Sequence, residues 1–423
     1  MARFALRPSA VARLALGVCA MSLSVGGTDA FHLPTTALAV PRRVVSVRCS
    51  LPSKWSEYNC GTWVGTAMVV NPITAEPEIP YKRTRITVSR PEVDGTVQMR
   101  TTVRSPESVD DEQQGVDCVS LLDVGLDLDI DGTYSADHQA LRQVLLLTGS
   151  SAGVGRVIEH SIAISDENRR RCLLQYSESG LLERAVLLDE TRDGCAPAEP
   201  MAPCTLMGLL GEWRGDALTR RHTARAATPR SNERTAGKGF GKTRPSQSAE
   251  PAEVNVFKLR LTYSWDGGTT MMRQLSGTAF NGEALEAIRR NPWPILERSC
   301  GEHYLHEGVY GEYESVRFDG DATFPRMLML PSGCHVLAPL QLTEGPFQTE
   351  FGAELPPGES FGWQGLQEDV VDLPTPEESS VVQTADIPGM DGDRSAARLV
   401  RVGRLYANPN TFISGTTSLC TAV

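Results

Sequence analysis

Four stretches of this chain place residue types at spacings that could do chemistry. Thr148-Gly-Ser-Ser-Ala-Gly-Val-Gly155 matches a glycine-rich turn of the kind that seats a dinucleotide, with apolar Val144–Leu147 as a strand before it. That chemistry needs an amphipathic helix next, its N-terminus turned to the pyrophosphate. Arg156–Ile164 alternates as a strand instead, and no Tyr-x-x-x-Lys pair exists, so a glycine-rich hairpin is predicted. Ala236-Gly-Lys-Gly-Phe-Gly-Lys-Thr243 satisfies a loose phosphate-loop pattern but sits in a polar segment with Pro245 just beyond it. Such a loop works only between a buried strand and a helix, so a solvated basic loop is expected. Asp127-Leu-Asp-Ile-Asp-Gly132 opens like a calcium loop, yet the twelfth position is His138 rather than a bidentate Glu. His303-x-x-His306, with Glu302 and Glu307, is a local cluster of metal-type ligands. On a strand its two imidazoles point to opposite faces, which leaves polar residues at a barrel rim. The sequence therefore assigns no catalytic residue, no metal site and no cofactor.

The elements that must carry these residues are almost all strands. Between Gly61 and Arg192 the segments 81–90, 96–104, 118–122, 155–164, 170–176 and 181–190 alternate or are β-branched. Asp166–Asn168 and Glu178–Gly180 supply turns. Asp193–Pro203, with Pro197, Pro200 and Pro203, reads as a linker. Strands resume at 254–265, 269–277, 308–318, 324–330, 335–342 and 347–354, with a last one at 398–406. Glu283–Arg290 is the one short helix predicted in this half. Residues 217–253 are rich in Thr, Arg, Ser, Gly and Pro and bury too little to fold, so disorder is expected there. Residues 369–393 form an acidic, Pro-containing loop. The fold class expected is all-β: two consecutive antiparallel barrels at 51–193 and 207–423, joined by 194–206, with few short helices.

A short cassette opens each half: Gly61-Thr-Trp63-Val-Gly65 and Gly211-Glu-Trp213-Arg-Gly215, their tryptophans 150 residues apart. In calycin (lipocalin-like) barrels a Gly-x-Trp on the first strand lets the backbone bend while the indole closes one end. Gly61, Trp63, Gly65, Gly211, Trp213 and Gly215 are accordingly the predicted barrel-closure residues. No sequence repeat beyond the cassette is evident.

The N-terminus reads as targeting rather than fold. Residues 1–30 have a basic start (Arg3, Arg7, Arg13), a short apolar run and small residues before Phe31, the pattern of a signal peptide. Residues 31–50 hold Arg42, Arg43 and Arg48 without an acid, the composition of a transit segment. Together they resemble the two-part plastid presequence of algae with secondary plastids, the alternative being simple secretion. No other apolar run reaches membrane length, so a soluble mature protein is expected. Of the ten cysteines none form a Cys-x-x-Cys pair, which predicts neither a zinc site nor a disulfide framework. The net charge of −11 hides a basic 214–244 segment. An acidic chain with one basic loop is not a nucleic-acid binder, though the loop offers a place for a protein partner.

Arg169-Arg-Arg-Cys-Leu-Leu-Gln-Tyr176 followed by Gly180-Leu-Leu-Glu-Arg-Ala-Val-Leu-Leu-Asp-Glu190 resembles the final hairpin of the first barrel in a cyanobacterial and plastid family known as domain of unknown function 3598. Leu209–Gly215 is similar to that family's second-barrel opening, and Phe324–Gly333 to a later strand and turn. The resemblance covers residues 58 to about 355 and leaves the strand pairing after Pro356 unassigned. It implies two calycin-like barrels, distantly similar to S-type phycobilin lyases, and carries no catalytic residue over. The function expected is a soluble plastid protein that binds a small apolar or amphipathic ligand: a tetrapyrrole, carotenoid or lipid. One alternative is an assembly factor with filled barrels; a second is lyase-like chromophore handling.

Overall fold

The computed structural model describes residues 51–73, 77–105, 112–121, 124, 126–128, 132–139, 141–149, 154–197, 201, 204–221, 253–265, 270–279, 284–306, 309–318, 325–355 and 397–423. The basic segment 222–252, with its phosphate-loop-like stretch, lies outside them, as do residues 1–50 and the acidic segment 369–393. Almost everything described is antiparallel strand, in two curled sheets.

The first sheet holds β1 (Gly61–Val70), β2 (Pro77–Val88), β3 (Thr96–Arg104), β4 (Glu112–Ser120), β5 (Asp127–Leu128), β6 (Tyr134–His138), β7 (Val154–Ala163), β8 (Asn168–Ser177) and β9 (Leu182–Arg192). Their order, β4-β3-β2-β1-β9-β8-β7-β6-β5, is an up-and-down meander closed by the β1–β9 ladder. Two helices belong to it, α1 (Leu51–Asn59) and α2 (Arg142–Thr148). The second sheet follows helix α3 (Leu206–Leu209) and comprises ten strands. They are β10 (Gly211–Arg221), β11 (Glu253–Trp265), β12 (Thr270–Ala279), β13 (Ala284–His306), β14 (Val309–Phe318), β15 (Pro325–Leu330), β16 (Cys334–Pro339), β17 (Phe347–Leu355), β18 (Arg398–Asn408) and β19 (Thr411–Ala422). The same meander closes here on the β10–β19 ladder, so the all-β, two-barrel class holds.

Four details differ from the sequence reading. The apolar run Val144–Leu147 is helix α2, not a strand, because strand side chains hold both of its ends. The Asp117 carboxylate on β4 accepts the backbone N–H groups of Arg142 and Gln143 (2.6 and 3.0 Å), and Lys82 Nζ on β2 donates to the Leu146 carbonyl (3.0 Å). Both charges suit the helix dipole, and Gly149 at φ 66° ends the helix. The glycine-rich stretch therefore begins at a helix C-terminus, the wrong end for a phosphate. Glu283–Arg290 is not a helix: Ala284–Pro294 pairs with β12, and the strand then passes to β14 from Ile295 onward, ladder pairing overriding local helix propensity. Ala217–Arg221 extends β10 rather than opening a loop. A further strand, β19, follows the 398–406 segment and pairs with both β18 and β10.

Two cores line the insides of the barrels, and a third lies between them. The first barrel's interior is built from Trp63, Ile86, Val97, Met99, Val157, Leu173 and Val186, with Val144 and Leu147 of α2 filling it. The second is built from Leu206, Leu209, Trp213, Leu261, Met327 and Leu399. Between them Ile158, Cys172, Leu174 and Tyr176 pack against Val336, Phe351, Val400, Val402 and Tyr406. Strand β8 is consequently buried on both faces. Its arginine run divides by the period-2 rule: Arg169 and Arg171 enter the first barrel, while Arg170 faces the other way and donates to the Glu354 carbonyl of β17 (3.1 Å).

Candidate functional site

The two cassettes are built alike. Gly61 and Gly211 lie at φ 120° and 116°, a region that glycine enters without cost. Trp63 and Trp213 are buried to 2% exposure, and each indole N–H donates to the carbonyl four residues back, Asn59 at 3.0 Å and Leu209 at 2.9 Å. At Gly65 and Gly215 a side-chain carbon would stand 2.0 and 1.8 Å from the carbonyl oxygens of Asp189 and Leu419, so only glycine fits beneath the closing strand. The six residues thus form two equivalent corners, one in each barrel's core.

Ladder register extends the equivalence well past the cassette, which corrects the reading that no further repeat exists. Gly65 faces Glu190 where Gly215 faces Cys420; Glu190 faces Arg169 where Cys420 faces Leu399. Continuing across the strands, Arg171 matches Arg401, Glu159 matches Glu350 and Tyr134 matches His335. A buried glutamate–arginine pair therefore occupies the same place in both barrels. Arg401 binds Glu350 through Nε (2.7 Å) and its Nη2, and His335 Nε2 stands 3.8 Å from that carboxylate.

In the first barrel the pair is part of a larger network. Glu159 accepts from Tyr134 OH (2.5 Å), Arg171 Nε (2.7 Å) and its other oxygen meets His138 Nε2 (2.8 Å). Glu190 accepts from Arg169 Nε (2.7 Å) and Arg171 Nη1 (3.3 Å). Arg169 also donates to Asn59 (3.1 Å), and Arg171 to Gln143 on α2 (3.3 Å). Burial alone would raise the Glu159 pKa, but the Arg171 guanidinium and the His138 and Tyr134 hydrogen bonds hold it well below the usual carboxylate range. Two carboxylates balance two guanidiniums, which is how four charges remain in a barrel interior.

Beside this network lies a small cavity. Val97, Met99, Val119 and Leu121 line it together with Trp55, Tyr134, His138 and Glu159, and the surface it exposes is almost wholly apolar. It has room for about one water molecule. Two buried polar atoms of its lining, Trp55 Nε1 and His138 Nδ1, make no hydrogen bond. Among the described residues no Ser, Thr, Cys or Lys lines it. Burial pushes the thiols of Cys334 and Cys420 up to about 12 and about 11, far from thiolate chemistry. Among the described residues no three His, Cys, Asp or Glu side chains come together as metal ligands. His138 left the calcium-loop pattern for this network, while His303 and His306 fall on β13, their side chains outside the described part. No described helix is long and apolar enough to cross a membrane.

Trp55, Tyr134 and Glu159 were not singled out from sequence; His138 entered only as the failed twelfth position of the calcium-loop pattern, and Arg169, Arg171 and Glu190 only within the hairpin that carries the family resemblance. The available signal was three consecutive arginines inside a strand flanked by Leu, an arrangement that forces at least one guanidinium inward.

The fold is similar to that of a protein of unknown function from the DUF3598 family of Nostoc punctiforme PCC 73102. The TM-score is 0.50 at 17% identity, covering 87% of this chain and 98% of that one. The family resemblance of the hairpin and cassette is thereby matched at the level of fold. A kievitone hydratase from Nectria haematococca aligns over 89% of this chain and 94% of its own at 9% identity, with a TM-score of 0.14. No protein-family model matches the sequence, and no curated protein does.

Proposed function

We propose that the protein is a plastid binding protein whose first barrel takes a small apolar or amphipathic molecule, of the tetrapyrrole, carotenoid or lipid class. One observation supports this reading: a small cavity in the first barrel with an almost wholly apolar lining, to which Val97, Met99, Val119 and Leu121 contribute. Water-sized as it stands, the cavity has to widen to admit such a molecule. The cassettes would close the barrel ends around the ligand. Expression of residues 50–423 in pigmented cells, followed by absorbance and mass analysis of copurifying molecules, tests it. Colourless protein that also refuses bilins, chlorophyll precursors and fatty acids would overturn the reading.

The filled interior favours a second reading, an assembly factor with no ligand. Bound pigment or lipid in that preparation eliminates it; ligand-free protein that captures a defined plastid complex supports it. Plastid delivery rests on residues 1–50, and a fluorescent protein fused behind them should accumulate in the plastid rather than the medium.

A further inference from the structure

Strand β4 is an outer strand of the first sheet: it pairs with β3 and, among the described residues, with no other strand. Its backbone direction follows from the ladder. Leu121 N–H donates to the Gly95 carbonyl opposite it, so the alternate residues Gly115, Asp117 and Val119 turn their backbone groups toward β3. The N–H and C=O groups of Gln114, Val116 and Cys118 therefore point off the sheet. Among the described residues nothing bonds to them. The side chains of these three stand on the outer face, Val116 at 42% exposure, and neither proline nor lysine blunts the edge. A row of arginines flanks it. On the same outer face β2 and β3 carry Arg83, Arg85, Arg100 and Arg104. Arg85 pairs with Asp193 and Arg104 with Glu112. Arg100 is exposed, has no acidic partner among the described residues, and lies directly beside Val116 in the ladder.

We propose that the β4 edge takes an extended acidic segment of a partner protein as an added antiparallel strand. Its backbone pairs with Gln114, Val116 and Cys118, and a carboxylate opposite Val116 reaches Arg100. Neighbouring strands lie about 4.8 Å apart, so that residue and Arg100 are about 10 Å apart at the backbone, a gap that an arginine and a glutamate side chain span together. A second copy of the chain fits worse: it brings the same arginines and a net charge of −11, so like charges meet. A nucleic acid has no amide backbone to continue the ladder, and this face offers no exposed aromatic ring for base stacking. The site lies on the outside of the sheet and is independent of what the barrel interior binds.

Fluorescence anisotropy on the full chain with a labelled Thr-Val-Glu-Val-Glu-Val-Thr peptide tests this. Two control peptides accompany it, one with lysine for glutamate and one with both glutamate amides N-methylated. The acidic peptide should bind, and each control should bind about tenfold more weakly. Arg100→Gln should weaken the acidic peptide about threefold, the share of one exposed ion pair. Val116→Pro removes an outward N–H and leaves the β3 ladder intact, and should cost about tenfold. Equal binding of the acidic and lysine peptides, no loss on N-methylation, or no binding at all overturns the proposal. So does a concentration-dependent dimer in analytical ultracentrifugation that Val116→Pro dissolves, which would assign the edge to a second copy. If Val116→Pro fails to fold, the N-methylated peptide on the unaltered chain still decides.

Discussion

The two barrels share one frame but fill it with different chemistry. At matching ladder positions the first has Arg169 and Glu190 where the second has Leu399 and Cys420, while Glu159–Arg171 and Glu350–Arg401 persist in both. The glutamate–arginine pair is thus common to both interiors, and a second carboxylate and guanidinium occur at the matching positions of the first alone. A charged cluster is costly to bury, and its retention in only one interior marks that interior as the one with a polar task.

The largest expected effect tests this difference directly. Arg171→Met strips the partner from two buried carboxylates, Glu159 and Glu190, whereas Arg401→Met strips one, Glu350. Breaking a buried pair costs about 3–5 kcal/mol. Chemical denaturation should place Arg171→Met at or above the top of that range and Arg401→Met near its foot. Equal losses would mean that Arg169 alone satisfies Glu190 and that the two interiors are energetically alike.

A second contrast sits on the outer faces that meet between the barrels. His160 of β7 matches Phe351 of β17, and its Nε2 meets Thr349 Oγ1 across the interface (3.0 Å). Burial and the nearby Arg404 lower the His160 pKa to about 3, against the weaker pull of Glu350 and Glu159. The folded protein therefore keeps this histidine neutral while the unfolded chain protonates near 6.5. Its contribution is complete above about pH 6.5 and is lost as pH falls toward 3, at about 1.4 kcal/mol per pH unit. By pH 4.5–5 the loss is about 2–3 kcal/mol, before the ionised carboxylates begin to titrate. His160→Gln should flatten the stability curve over that window. An unchanged slope would assign the acid sensitivity to another group.

How much of this was legible beforehand depended on whether a strand had one buried face. Strand β3 showed its Val97, Met99, Thr101 and Val103 stripe because its other face is solvated, so its limits were readable to the residue. Strand β8 hid its role because the second barrel covers the face that would otherwise be polar, and its three arginines were read only as part of the first barrel's final hairpin. In β13 the Glu-Ala-Ile-Arg-Arg run favours helix locally, and only pairing with β12 and β14 decides otherwise. The cassette was legible because its glycines and tryptophan act within five residues. The buried polar network was not. Trp55, Tyr134, His138, Glu159 and Arg171 come from a helix and three strands, and no local spacing announces them.

The smallest expected effect isolates what the extra charges do to the shared tryptophan. Trp63 and Trp213 lose the same indole hydrogen bond on substitution by Phe. Their ring faces differ. The guanidinium carbons of Arg169 and Arg192 lie 3.9 and 4.6 Å from the Trp63 ring centroid, whereas the matching positions beside Trp213 are Leu399 and Ala422. A cation over indole contributes about 0.5–2 kcal/mol, more where water is excluded. Phenylalanine retains part of that attraction through its smaller ring. Trp63→Phe should therefore cost about 1 kcal/mol more than Trp213→Phe in matched denaturation curves. Equal costs would show that both arginines spend their attraction on Glu190, Asn59 and the backbone carbonyls of Cys60 and Tyr58, leaving none for the indole. The cassette would then be a purely steric corner in both barrels, and the difference between them would lie wholly in the carboxylates.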